Sequence, residues 1–166
     1  YAQGYTRTDA PIRMAPGFLA VETYGIRTTA SDLLRFVEAN MAMFDLDATL
    51  QRAIIATHTG YDLVGPMTQD LIWEQYHYPA DIKDLLAGNA DEMALQPNPV
   101  VRLDPPSQPE DDVLIDKTGS TNGFGAYVAF VPGRRIGIVI LANKNYPIDA
   151  RVTAAAAILT RLASDA

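Results

Sequence analysis

The sequence predicts a mixed α/β (α+β) domain, in which an antiparallel sheet carries a C-terminal helix and further helices flank it. Three observations predict this. Residues 113–120, 124–131 and 136–142 are nearly continuous apolar runs, as expected of strands covered on both faces. Pro132-Gly133-Arg134-Arg135 joins the second run to the third as a short hairpin connection. From about residue 150 to 163 the period becomes helical, with Val152, Ala155, Leu159 and Leu162 on one side, long enough to cover such a sheet. Strands that follow one another without intervening helices exclude a βαβ array.

The upstream elements follow in order. Residues 1–27 are rich in Gly, Pro and aromatics and hold no period, which predicts a long surface loop ordered by Tyr5, Phe18 and Tyr24. Loops of that length inside a domain are usually functional. Thr29 then caps a helix, with Asp32 at N3 near its positive end and Leu33, Leu34, Val37 and Met41 as one apolar stripe. A second helix spans about residues 47–58, with Leu46, Leu50, Ala53, Ile54 and Thr57 on one face and Gly60 as its terminating C′ residue. Leu71, Ile72, Trp73, Tyr76 and Tyr78 predict a single strand over 69–78. Residues 79–111 predict loop with a short helix at 81–87, because Pro97, Pro99, Pro105, Pro106 and Pro109 oppose regular structure. There is no internal repeat and no linker, so residues 1–166 read as part of one domain.

Composition narrows the function. Of the 166 residues, 48% are hydrophobic and 20% charged, which is ordinary for a globular chain. The net charge is −7 and the basic residues are scattered singly, which disfavours nucleic acid and anionic membrane surfaces as partners. No apolar run approaches the length of a membrane span. With no cysteine there are no disulfides, thiolate metal sites or Cys nucleophile. His58 and His77 sit in no metal-binding spacing and are expected at the surface or at a helix end.

The chemistry concentrates in Lys117-Thr118-Gly119-Ser120-Thr121-Asn122-Gly123-Phe124-Gly125, where a strand ends in a glycine-rich turn. A strand entering a cleft there offers an ammonium, a hydroxyl and a bare backbone in succession. Lys117 would lower the pKa of a neighbouring nucleophile or base, and Thr118 would donate to an anionic substrate group. Gly119 would let a substrate lie against the backbone, and the Ser120 amide would face a developing oxyanion. The plainer reading is an exposed strand end with Ser120 as a turn residue.

Resemblance over the chain favours the first reading. The segment from Lys117 to Pro132 resembles the K-T-G box of class C serine β-lactamases, and Leu141-Ala142-Asn143-Lys144-Asn145-Tyr146-Pro147 with Arg151 resembles the element that follows it. Tyr1-Ala2-Gln3-Gly4-Tyr5 resembles that family's Y-A-x-G-Y element, and Pro16-Gly17, Glu22 and Tyr24-Gly25 resemble its P-G-x-L-x-x-E-x-Y-G loop. The helix from Ser31 to Val37 fits as well. The resemblance implies the C-terminal part of a β-lactamase/penicillin-binding transpeptidase-like domain that opens β-lactams through a serine acyl-enzyme. It implies a periplasmic location and neither metal nor cofactor. Lys117 would be the catalytic lysine; Thr118 and Asn145 would hold the lactam carboxylate, with Arg151 near that subsite. Gly119 would border the substrate, and Ser120 would offer its N–H to the oxyanion and its carbonyl to the side-chain amide. Tyr24 would wall the acyl side chain.

The family's S-x-x-K nucleophile and Y-x-N motifs do not occur here, and in class C enzymes both precede the Y-A-x-G-Y element. The site is therefore expected to need the N-terminal half of the same enzyme. A DD-peptidase or esterase of the same fold, or a non-catalytic ligand-binding module, are the alternatives. Ile72, where relatives keep a small strand residue, and Ile148, where many have Asn, are departures that bear on substrate preference. Loss of an activated serine costs on the order of 10⁶ in turnover, so this chain alone is expected to show no acylation burst with a chromogenic cephalosporin. A stoichiometric burst would contradict the assignment of the nucleophile to other polypeptide.

Overall fold

The structure, a computed structural model, describes residues 2–164 apart from 14, 16 and 21–24. A short ribbon of β1 (Gly4–Tyr5) and β2 (Pro11–Ile12) comes first, followed by helices α1 (Ala30–Asn40) and α2 (Ala48–Ala56). Strands β3 (Gly60–Val64), β4 (Met67–Asp70) and β5 (Glu74–His77) form a meander, and α3 (Ile82–Gly88) and α4 (Asp91–Leu95) follow it. Then come β6 (Val100–Ser107), β7 (Val113–Ser120), β8 (Gly125–Val131), β9 (Ile136–Ala142) and helix α5 (Ile148–Ser164). The seven strands from β3 onward make one sheet in the order β6-β3-β4-β5-β7-β8-β9, with every neighbouring pair antiparallel.

Side-chain alternation along β8 divides the core between two faces. Tyr127, Ala129 and Val131 meet Leu114, Tyr76 and the α5 residues Val152, Ala155 and Leu159. Val128 and Phe130 turn the other way, onto Val37 of α1 and its C-cap Met41, with Trp73, Val113 and Ile115. The apolar runs of β7 and β8 thus reflect a sheet covered by α5 on one face and α1 on the other. α1 begins as expected, with the Thr29 hydroxyl accepting from the Asp32 amide at 3.1 Å. Leu34 and Leu162, expected on buried stripes, are exposed instead.

Several expectations need correction. The loop expected over 1–27 contains the β1–β2 ribbon, while Tyr24, Glu22 and Pro16 lie outside the described residues. The single strand expected over 69–78 is a hairpin: Leu71 and Ile72 form its exposed turn, so Ile72 is not a strand residue. The stretch with mixed signals is where β4 ends and β5 begins. Gly60 does not terminate α2; it opens β3, and Thr57 is the helix's C-cap. Leu50, expected on the buried face of α2, is exposed. The proline-rich segment contains β6, with Pro105 and Pro106 inside it. β6 is the outermost strand, and an edge tolerates a residue without an N–H. His58 is buried beside Trp73 and Phe130, with Nε2 3.0 Å from Asn40 Oδ1, and burial lowers its pKa to about 4, so it packs as a neutral ring.

At the other edge β9 reads Ile-Gly-Ile-Val-Ile-Leu-Ala, and its outer side pairs with no strand among the described residues. Such an apolar edge invites another strand.

One buried acid stands out. Gly60 pairs with Ser107 on one side and Asp70 on the other, and a Cβ on Gly60 would come within 2.3 Å of Ser107 Oγ and 3.4 Å of Asp70 Oδ1. Both side chains therefore lean over a bare glycine, and neither Asp70 oxygen nor Ser107 Oγ has a hydrogen-bond partner among the described residues. Burial pushes the Asp70 carboxyl up to about 8. The folded state thus holds a proton that the unfolded chain releases near about pH 4. The contribution is whole below that pH and erodes as pH rises through about 8. Asp70→Asn removes the erosion, so urea denaturation should find the variant gaining on the parent protein steadily between about pH 5 and 8. A stability difference independent of pH would refute this account of Asp70.

Candidate active site

The pairing of β7 changes halfway along it. β5 accompanies it from His77↔Val113 to Glu74↔Asp116 and then stops, whereas β8 follows it through Ser120↔Gly125. Residues 117–120 therefore have one edge in the sheet and one edge open. Exposure changes at the same point: Asp116 is wholly buried, Lys117, Gly119 and Ser120 are exposed, and Thr118 is half-buried.

The sheet-side edge is fixed from α5. Arg151 Nη1 donates to the carbonyls of Gly119 at 2.9 Å and Ala126 at 2.5 Å, and Nη2 donates to Ser120 Oγ at 2.7 Å. One nitrogen reaches both carbonyls only if both point into the β7–β8 seam. Because successive residues in a strand direct their backbone groups to opposite sides, the N–H and C=O of Thr118 and Ser120 face the open edge. The guanidinium fits because Gly125 has no side chain: a Cβ there would lie 3.1 Å from Arg151 Cζ. Arg151 was expected as a substrate contact, but it is 1% exposed and its donors are turned onto the strand. Its role is to brace the strand from behind.

Lys117 is half-exposed and forms a short ion pair with Glu74 Oε1 at the edge where β5 ends. Behind the pair lies Asp116, whose Oδ2 accepts from the Tyr127 hydroxyl at 2.6 Å and from Asn89 Nδ2 at 2.9 Å. Burial first, and then the charge of Glu74, push the Asp116 carboxyl well above the usual carboxylate range. Burial and Asp116 likewise push the phenols of Tyr76 and Tyr127 up, so both stay protonated donors.

Gly119 carries a further clue. Its backbone does not need a glycine, and a Cβ there would meet only Ala126 Cβ at 3.9 Å, an ordinary contact. The bare backbone is not demanded by packing among the described residues.

The N-terminal ribbon docks beside this strand. The Tyr5 amide donates to the carbonyls of Gly123 and Asn143, and the Asn145 amide donates to the Tyr5 carbonyl at 2.9 Å. Lys144 Nζ pairs with Asp9 Oδ1 at 2.6 Å. The ribbon, the turn after the K-T-G triplet and residues 143–145 thus form one wall. In that wall Asn145 Oδ1 accepts from Arg7 Nε at 3.4 Å. Lys117, Thr118, Gly119 and Ser120 are brought together with Arg151, while Tyr24 lies outside the described residues. Ile148 is half-buried against the α5-side core.

Comparison with known proteins identifies the family and the fold. The Beta-lactamase family profile matches residues 1–163. The chain belongs to the beta-lactamase family. It is 53% identical over 162 residues to a beta-lactamase of Pseudomonas fluorescens, covering 98% of this chain and 45% of that protein. It is 52% identical over 159 residues to one of Lysobacter lactamgenus, covering 96% of this chain and 41% of that protein. The chain thus spans less than half the length of these beta-lactamases. Among solved structures it superposes on a class C beta-lactamase in complex with cefoxitin, with TM-score 0.92 and 53% identity over 97% of this chain and 45% of that one. It also superposes on the D-alanine carboxypeptidase AmpC from Burkholderia cenocepacia, with TM-score 0.95 and 57% identity over 97% of this chain and 47% of that one. The fold is the β-lactamase/transpeptidase-like α/β arrangement in part.

Sequence reading overlooked Glu74, Asp116, Tyr127 and Asn89. The signal was an acid directly ending each of two apolar runs, Ile72-Trp73-Glu74 and Leu114-Ile115-Asp116, and an acid buried with such a run needs a partner. The glycines give a test. Gly119→Ala should shift stability by no more than about 0.5 kcal/mol, whereas Gly125→Ala, pressing on Arg151, should cost about 1–3 kcal/mol. Urea denaturation of both variants measures the contrast. Equal effects would mean that Arg151 is not packed as described.

Proposed function

We propose that residues 117–120 are the substrate-binding edge of a serine β-lactamase, and that the nucleophile and its proton acceptor come from polypeptide outside these 166 residues. The observation that carries this is the half-paired strand β7, whose open edge bears the K-T-G triplet. A serine hydroxyl adds to the lactam carbonyl, the C–N bond breaks, the ring nitrogen takes the proton, and water then cleaves the ester. In this scheme the Ser120 N–H stabilises the oxyanion and the Ser120 carbonyl accepts from the substrate's side-chain amide, as a strand edge binds an extended peptide. Lys117 supplies positive charge next to the nucleophile. The Thr118 hydroxyl, with Asn145 beside it, holds the lactam carboxylate, and Tyr24 walls the acyl side chain. Family likeness supports a periplasmic enzyme needing neither metal nor cofactor, and no described helix is long and apolar enough to cross a membrane. The unpaired edge of β9 supports pairing with a strand from the rest of the enzyme.

A second reading has its own support, since matched structures include proteins titled D-alanine carboxypeptidase. The same edge would take a D-alanyl peptide, whose carboxylate falls where the lactam's does.

Thr118→Val in the full-length enzyme tests the assignment. Removing one hydrogen bond to a charged group costs about 1.5–3 kcal/mol, so kcat/KM for a carboxylate-bearing cephalosporin should fall roughly 10- to 100-fold. The methyl ester of that cephalosporin should lose far less. Equal losses for acid and ester would remove Thr118 from carboxylate binding. Turnover of a D-alanyl peptide exceeding that of the lactam would favour the peptidase, and binding without acylation would favour a non-catalytic module.

A further inference from the structure

We propose that Glu74 and Asp116 share a single proton, behave as one monoanion, and thereby position the Lys117 ammonium at the open edge. The inference rests on the reading above only for the use made of Lys117.

Glu74 and Asp116 are direct cross-strand partners on β5 and β7, so their side chains leave the same face of the sheet side by side. Both are buried. Each carboxyl has one oxygen engaged: Glu74 Oε1 by Lys117, and Asp116 Oδ2 by Tyr127 and Asn89. Each has one buried oxygen, Glu74 Oε2 and Asp116 Oδ1, with no hydrogen-bond partner among the described residues. Two unpartnered carboxyl oxygens on cross-strand neighbours repel one another when both acids are ionised, and a single shared proton relieves that repulsion.

Charge leads to the same stoichiometry. With both acids ionised, the two carboxylates and the Lys117 ammonium leave one net negative charge in the buried part of the sheet, which is costly. With both acids neutral, Lys117 has lost its counter-ion. One proton taken from solvent gives a neutral cluster with an anion still facing Lys117. The groups around the pair do not offer another balance. Tyr76 on β5 and Tyr127 on β8 remain phenols, Asn89 beyond α3 is neutral, and Asp84 on α3 adds negative charge. The paired acids are thus held apart in role by their partners, a pattern also seen where two carboxylates share a site.

The functional consequence falls on Lys117 as an ammonium held in place, which makes Asp116 a positioning residue. When the shared proton leaves at alkaline pH, the extra negative charge draws the ammonium back and repels an incoming carboxylate. Binding of an anionic substrate then weakens more than the chemical step does.

The test is a carbon-13 NMR titration of the full-length enzyme labelled at its Asp and Glu carboxyl carbons. The Asp116 signal should titrate in one step above the usual carboxylate range, and the Glu74 carboxyl signal should register that same step. Asp116→Asn should abolish that step, and Glu74→Gln, a second variant in case the first does not fold, should uncouple it. Across the same step KM for a carboxylate-bearing cephalosporin should rise about 10-fold with a smaller change in kcat, and Asp116→Asn should flatten that profile. Both acids fully ionised at neutral pH, or titrating independently, would overturn the shared proton. A shared step without the KM change would overturn the positioning role. The titration needs no turnover, so an enzyme inert to lactams that still shows the joint step would leave the proton pair standing and sink the hydrolase reading.

Discussion

A strand paired on both edges for half its length and on one edge for the remainder is the constraint on which this structure depends. β7 is core up to Asp116, because β5, β8 and residues from α5 and α1 surround it. Where β5 stops, the same strand turns exposed along one edge. The transition is abrupt because Glu74 is both the first residue of β5 and the counter-ion of Lys117. An open edge is ordinarily a liability. Here it is short, carries a charged side chain, and lies beside a wall built by the N-terminal ribbon.

An unsupported strand end would fray, and a frayed edge cannot hold its backbone donors in place. Arg151 answers this by bonding two carbonyls and one hydroxyl from behind, leaving the front of the strand clear. Its cavity depends on Gly125, so one glycine permits the brace and another, Gly119, keeps the open side bare. Burial of a guanidinium among carbonyls, with Arg7 adding repulsion, lowers its pKa. The arrangement stands because each of those donors meets an acceptor, and leaving even one buried acceptor unpaired costs about 1–3 kcal/mol.

Much of this was legible from residue patterns, and what was missed has definite causes. The strands β7 to β9 and helix α5 were readable because their apolar periods are long and uninterrupted. The K-T-G triplet was readable because a strand end and a glycine turn frame it. β6 was hidden by Pro105 and Pro106, whose tolerance depends on an edge position that only the sheet order reveals. The β4–β5 hairpin was hidden because Leu71 and Ile72 are apolar yet exposed in its turn. Arg151 is expected near the carboxylate subsite, yet its guanidinium runs behind the strand, since sequence does not tell which way a long side chain runs. Glu74 and Asp116 became partners only through register, the property that local pattern specifies least.

The alternation along residues 117–120 permits a direct measurement of the central claim. Backbone amide NMR of the full-length enzyme, recorded with and without a slowly hydrolysed β-lactam, should show the Thr118 and Ser120 amides shifting and gaining exchange protection. The Lys117 and Gly119 amides, turned into the β8 seam, should change little. Perturbation confined to the seam amides, or to the outer edge of β9, would contradict the assignment of the open edge of β7 as the place where substrate lies.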